Sequence, residues 1–225
     1  SSFNWNKFLR GFLYGFVVPI ITFAFFLLSG GSSYLIPNFV FWKWLAFSVF
    51  NIILVVLGAL SEEIECRRFN AGSWYRDNNF RFILSLIFFP LLFAYIHIGN
   101  PEFSSIKEWG GFLHMFARYF LTGLNYSLVS VFSGGIELSW GEHIANNIYV
   151  SLFLGYRPSP LNTYSLIIVD RSSMFESFND LAFTVGDFFS YLGESLSFVM
   201  KFGFFESFFR PVYAVKPVEY YQVKF

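Results

Sequence analysis

The chain has 225 residues, 55% hydrophobic and 24% aromatic, with 35 Phe, 13 Tyr and 6 Trp. Only 13% are charged, about half the share of a typical soluble domain. Fifteen basic residues balance fifteen acidic ones, which argues against a nucleic-acid binder, whose footprint is a basic excess on one face; the aromatic wealth argues against disorder.

A single cysteine, Cys66, excludes an internal disulfide. The mean hydropathy of +0.52 points to a membrane protein. Crossing a hydrocarbon core takes about 20 mostly apolar helical residues. The first uncharged run, residues 11–28 with Pro19 inside it, predicts a span. It is too long for the apolar part of a secretory signal, and Leu28-Ser29-Gly30-Gly31 is a poor cleavage site. The second span is predicted over residues 44–60, reaching back past Lys43 to Phe39. The third covers 82–98, the fourth 119–136, and a fifth 144–156, entered from near Leu138. Residues 178–209 are rich in Phe but interrupted by Asp180, Asp187, Glu194, Lys201 and Glu206. They predict a final membrane-embedded helix around 181–200, with an amphipathic helix in the interface as the alternative. Pro211 and Pro217 make residues 210–225 an extended tail. The expected architecture is all-α: a polytopic transmembrane helix bundle of about five or six spans with a polar intramembrane cavity. Residues 1–209 form one domain. The lack of an initiator Met suggests a processed or incomplete chain.

Basic residues near span ends set the orientation. Lys7 and Arg10 precede the first span, and Arg67, Arg68, Arg76 and Arg81 lie between the second and third. Residues 29–38 carry no charge, and Lys107 is the one basic residue in 99–110. The N-terminus and the Arg-rich loop 67–81 are therefore expected on the cytoplasmic side.

An ionisable residue at spanning depth costs roughly 3 kcal/mol or more, so those that occur there are informative. Glu62, Glu63 and Arg67 continue the second span, and Glu63 and Arg67 are four apart, a spacing that pairs charges on a helix. His97 ends the third span. His143 and Asn147, again four apart, lie in the fifth. Converging inside a bundle, these residues could activate water. A carboxylate and a neutral imidazole take its proton, while a second histidine and an amide hold the oxyanion formed on a cleaved amide. Arg67 is placed to balance a buried glutamate. Each residue also has a plainer role. The Glu/Arg group can be a solvated helix end, His97 can cap a helix C-terminus, and His143 with Asn147 can hold helices together. His114, four before Arg118 in an aromatic stretch, reads as structural, and a nucleophilic role for Cys66 is disfavoured because no histidine lies near it in sequence.

Glu62-Glu63-x-x-x-Arg67, Phe93-x-x-x-His97 and His143-x-x-x-Asn147 resemble, in order, the three motifs of the CPBP family, the CAAX proteases and bacteriocin-processing enzymes. Gly99-Asn100-Pro101 after His97 and Ser133-Gly134-Gly135-Ile136-Glu137-Leu138 before the third motif strengthen the likeness, which covers roughly residues 8–160. The resemblance implies an α-helical intramembrane endopeptidase with Glu62, Glu63, Arg67, His97, His143 and Asn147 around a cavity. It implies Glu63 or Glu62 as base, His97 assisting, and His143 with Asn147 at the oxyanion. No cofactor is required on the favoured glutamate reading. Zinc on Glu63, His97 and His143 is the alternative, although no HExxH helix is present.

The implied partners are a peptide or lipid-modified protein substrate and membrane lipid, with no nucleic acid. The sequence leaves the oligomeric state open. The Phe-rich composition hints at an AT-rich genome and so at a bacterial plasma membrane. Two other readings compete. One is a non-catalytic immunity or scaffold protein of the same fold. The other is a small transporter, which lacks the expected inverted repeat.

Overall fold

The computed structural model of the protein describes residues 3–68, 79–104, 106–159, 164–170 and 182–209. Its helices are α1 (Trp5–Leu28), α2 (Phe41–Glu63), α3 (Asn79–Ile96), the single turn α4 (Pro101–Ser104), α5 (Trp109–Ser133), α6 (Glu137–Ile148) and α7 (Val185–Phe209). Three short strands are β1 (Leu35–Pro37), β2 (Leu154–Arg157) and β3 (Ile167–Asp170). The expected 210–225 tail and most of the Arg-rich loop lie outside the described residues.

Among the described residues, two helices are long and apolar enough to cross a membrane, Trp5–Leu28 and Phe41–Arg67, and Ile83–Ile96 is a shorter apolar helix. Less than a quarter of each long span is buried within the protein. In α2 the inward stripe is Ser48, Asn51, Val55, Ala59 and Glu63, at three- and four-residue steps. Phe50, Leu54 and Leu57 are left outward. An apolar surface of that extent is costly in water and neutral against lipid. The mostly helical fold is thus that of an all-α membrane protein, with one addition.

The addition is a sheet of order β1-β3-β2, antiparallel between β1 and β3 and parallel between β2 and β3. It corrects the expected fifth span. The α-helical part of that segment stops at Ile148, about 18 Å after it begins at 1.5 Å per residue. A π-helical turn, Tyr149–Phe153, then hands the chain to β2. Gly155 and Tyr156, read as apolar helix, are ladder residues opposite Ile168 and Val169. Trp44 Nε1 donates to the Leu152 carbonyl at 2.9 Å, tying the start of α2 to this end of the molecule.

The fourth span also differs, because α5 begins ten residues early. Arg118 ends the uncharged run without ending the helix: Gly111, His114, Met115 and Ala117 already face inward. The last helix starts at Val185 and runs to Phe209, so the expected 181–200 is displaced toward the C-terminus.

Helix α1 packs most extensively on α6, and small residues allow it. A Cβ on Gly11 would strike the Leu138 carbonyl oxygen, and one on Gly141 the Phe8 carbonyl oxygen. Gly15 meets Glu142 and Ala145 in the same way. Such small-residue stripes let helix backbones approach closely. The turn between α5 and α6 is equally defined. Gly134 adopts φ 72°, where glycine alone avoids a Cβ penalty. Gly135 N–H donates to Ser130 O, closing the helix end. Lys7 Nζ donates to Ser133 O at 2.6 Å, placing a cation on the α5 C-terminus.

Replacing Gly141 by alanine should therefore destabilise the protein by at least the ~1–3 kcal/mol typical of overpacking, since a carbonyl cannot step aside. A Cβ on Gly58 would meet nothing within 4 Å, so alanine there should add about 0.5–1 kcal/mol of stability. Thermal unfolding in detergent micelles reads both. A wild-type midpoint for Gly141→Ala would contradict the α1–α6 contact.

Candidate active site

Glu63 is the last residue of α2, and the chain continues as a π-helical turn, Ile64–Arg68. Glu63 and Arg67 are fully buried and paired, Arg67 Nη1 donating to Glu63 Oε1. The same carboxylate reaches α6. Ser139 Oγ donates to Glu63 Oε2 at 2.6 Å, and His143 Nδ1 lies 3.0 Å from Oε1. Ser139 also meets Ser130 of α5 at 2.8 Å. One buried glutamate thereby ties α2 to α6 and, through a serine pair, to α5.

Arg67 is enclosed by aromatic faces. Its guanidinium lies 4.8 Å from the Phe93 ring centre and 4.7 Å from that of Tyr126. Among the described residues Arg67 Nε and Nη2 have no hydrogen-bond partner, so ring quadrupoles stand in for acceptors. Tyr126 in turn stacks on His143, centroids 4.9 Å apart, and its hydroxyl is hydrogen-bonded to buried Glu142.

Glu62 has a different environment. Its side chain keeps 26% exposure, and Oε2 lies 3.7 Å from His143 Nε2 and 3.9 Å from His97 Nε2. Oε2 is buried and has no hydrogen bond among the described residues. The tautomers follow from what lies at each Nδ1. His97 Nδ1 is 2.6 Å from the Phe93 carbonyl, and His143 Nδ1 faces the Glu63 carboxylate. Both are acceptors, which favours a proton on each Nδ1, and each Nε2 is turned toward Glu62.

The helices explain this convergence. Phe93 lies beside Arg67 while His97 lies beside Glu62, so α3 runs antiparallel to the end of α2. Helix α3 therefore begins about 27 Å beyond the site at 1.5 Å per residue. The sheet lies at the other end of α2, about 35 Å away by the same rise. The residues meet where the C-terminal ends of α2 and α3 come together.

Several contributors escaped the sequence reading. Asn100 Nδ2 donates to Tyr119 Oη at 2.9 Å, Tyr119 donates to buried Glu102, and the Tyr119 ring stacks on His97 at 4.6 Å. Tyr119 and Tyr126 are seven apart, and Ser139, His143 and Asn147 repeat at four. These one-face spacings were the available signal. Glu102 gave none, as it follows Asn100-Pro101 in what reads as a loop.

Five of the six predicted residues converge: Glu62, Glu63, Arg67, His97 and His143. Asn147 lies one turn beyond His143, half-buried and without a hydrogen bond among the described residues. Glu63 is committed to Arg67, His143 and Ser139, and no group of three metal-holding side chains occurs among the described residues. His114 sits outside the site, its Nδ1 2.8 Å from Tyr191 Oη, and Cys66 is buried.

Removing one partner of a buried ion pair costs about 3–5 kcal/mol, because the other charge is left unpaired. Arg67→Ala should lose that much stability in detergent unfolding, and Ser139→Ala about 1–3 kcal/mol. Glu62→Gln should unfold with wild-type stability. A loss for Glu62→Gln matching that for Arg67→Ala would contradict the division between the two glutamates.

A family model described as type II CAAX prenyl endopeptidase Rce1-like matches residues 42–149. The chain is also 27% identical over 184 residues to the uncharacterized protein YyaK of Bacillus subtilis (strain 168), covering 81% of this chain. It spans about 60% of the length of that relative. No solved structure matches. The matched segment contains all six residues read from the motifs. Residues 42–149 are thus similar to the Rce1-like CAAX prenyl endopeptidases of the CPBP family, the family that those motifs resemble.

Proposed function

We propose that this protein is an intramembrane endopeptidase that hydrolyses a peptide bond of a membrane-associated or lipid-modified peptide through Glu/His-activated water. The carrying observation is the Glu62 oxygen flanked by the Nε2 atoms of two imidazoles while Glu63 is locked in a buried pair. The family likeness supports the reaction class.

In this reading Glu62 is the base. A water held between Glu62 and His97 gives one proton to the carboxylate and directs the other at His97 Nε2. Its oxygen attacks the scissile carbonyl carbon, and the carbonyl electron pair moves to oxygen. As the C–N bond breaks, Glu62 returns its proton to the departing amine. The proton left on the new carboxyl passes through His97 to the amine, so the products are a carboxylate and an ammonium, and the enzyme is unchanged.

Asn147 supplies an N–H to the oxyanion. His143 can donate from Nε2 only as a doubly protonated ring, and Glu63 provides the anion at its other nitrogen. Tyr119 and Tyr126, stacked on the two rings, hold them in register. No step is routed through zinc, because the carboxylate of the expected zinc set is already occupied. The site faces substrate in a plasma membrane, with the N-terminus and residues 67–81 cytoplasmic.

The test is cleavage of a prenylated peptide by the protein in lipid vesicles. Glu62→Gln should lower kcat about 10²–10⁴-fold, as for loss of a general base. Asn147→Ala should lower it about 10²–10³-fold, as for loss of an oxyanion donor. A chelator should leave the wild-type rate unchanged. Equal rates for wild type and Glu62→Gln would reject the assignment, and chelator inhibition restored by zinc would reject its metal-free form.

A further inference from the structure

Glu142 is buried beside the site, and neither the sequence motifs nor the hydrolytic steps use it. Its carboxylate accepts a hydrogen bond from the Tyr126 hydroxyl. Its other oxygen, Oε2, is buried with no hydrogen bond among the described residues. An ionisable side chain in a membrane helix is costly, and a half-satisfied carboxyl stabilises a fold less than an apolar side chain of the same shape. Packing alone therefore gives no reason for a glutamate here.

The geometry gives another reason. The Tyr126 ring lies nearly flat on His143, with centroids 4.9 Å apart and planes inclined by 19°. Stacking sets the spacing of two rings but leaves them free to slide past one another. A hydrogen bond at the hydroxyl fixes the far end of the tyrosine. Glu142 and His143 are consecutive on α6 and point about 100° apart, so Tyr126 of α5 spans both, its ring on one and its hydroxyl on the other. The backbone behind Glu142 is itself seated. A Cβ on Gly15 of α1 would strike the Glu142 carbonyl oxygen, and one on Gly141 the Phe8 carbonyl oxygen. The other histidine has the same construction: Tyr119 of α5 stacks on His97 and donates its hydroxyl to buried Glu102.

We propose that Glu142 is a positioning residue of the hydrolytic site, holding the Tyr126 ring, and through it the His143 imidazole, in the orientation that aims Nε2 at the oxyanion. This rests on the role proposed for His143 above. Glu142 touches no reacting atom and exchanges no proton.

Two measurements on the full chain test this: cleavage of a prenylated peptide in lipid vesicles, and histidine-selective carbon-13 NMR in micelles. Glu142→Ala should lower kcat at least about tenfold, the value of a hydrogen bond to a charged group, with KM unchanged. The loss should stay below the ~10²–10³-fold of removing an oxyanion donor outright. Glu142→Gln keeps an acceptor oxygen for Tyr126 and should recover most of kcat. Tyr126→Phe should lose as much as Glu142→Ala, and the double variant no more than either, because both break one interaction. Wild-type kcat in folded Glu142→Ala, additive losses in the double variant, or a Glu142→Gln as slow as Glu142→Ala would overturn the proposal. Should Glu142→Ala fail to fold, Tyr126→Phe and Glu142→Gln decide it. The chain has three histidines, and the His143 ring signal is assigned by its loss in His143→Gln. That signal should move in Glu142→Ala and Tyr126→Phe and return in Glu142→Gln, while the His114 signal stays in place. NMR needs no substrate, so a wild type that cleaves nothing would reject the proposed function and leave the His143 signal to decide the role of Glu142. A His143 signal unmoved in both variants would overturn that role.

Discussion

The buried pair of Glu63 and Arg67 is the interaction on which the rest depends. Two fully desolvated charges are tolerable only if each is matched by the other and by further hydrogen bonds. Glu63 meets that demand by recruiting Ser139 and His143 from α6, and Arg67 by lying between Phe93 of α3 and Tyr126 of α5. Four helices are thereby fixed around one carboxylate. Position and tautomer of His143 are consequences of that arrangement. An imidazole donating from Nδ1 to an immobile carboxylate has its other nitrogen free and aimed.

The adjacent glutamate acquires its chemistry from the contrast. Two consecutive helical residues point about 100° apart. When Glu63 is drawn into the interior, Glu62 is turned toward the half-open space between His97 and His143. On the proposed mechanism, a locked carboxylate and a loosely held one, side by side, separate scaffold from reagent. A second support lies behind His97, where Asn100, Glu102 and Tyr119 form a hydrogen-bonded set with a ring stacked on the imidazole. Both histidines are therefore backed by a tyrosine from the same helix, seven residues apart.

The sequence made part of this legible. The four-residue spacing of Glu63 and Arg67 forecast their pairing, and scarcity of charge made Glu62, His97 and His143 conspicuous in apolar runs. Helices α1 to α3 overlie the uncharged runs, with α1 and α3 starting earlier, at Trp5 and Asn79. What could not be read was anything depending on contact between distant segments. Nothing local separates Glu62 from Glu63; only the recruitment of Ser139 and His143 does. The early start of α5 was hidden because Arg118 ended an uncharged run while its neighbours continued an inward stripe. The sheet was hidden because Leu154 to Arg157 becomes a strand only by pairing with Ile167 to Asp170. Glu102 was invisible for the same reason, since its partner Tyr119 lies on another helix.

The central claim is that Glu62, and not Glu63, takes the proton of the attacking water. Infrared difference spectroscopy of the protein in vesicles, on adding a tetrahedral phosphinate analogue of the prenylated substrate, observes that proton directly. The account predicts a protonated-carboxyl band that appears in wild type and is absent in Glu62→Gln. A band that persists in Glu62→Gln and vanishes in a folded Glu63→Gln variant would contradict it.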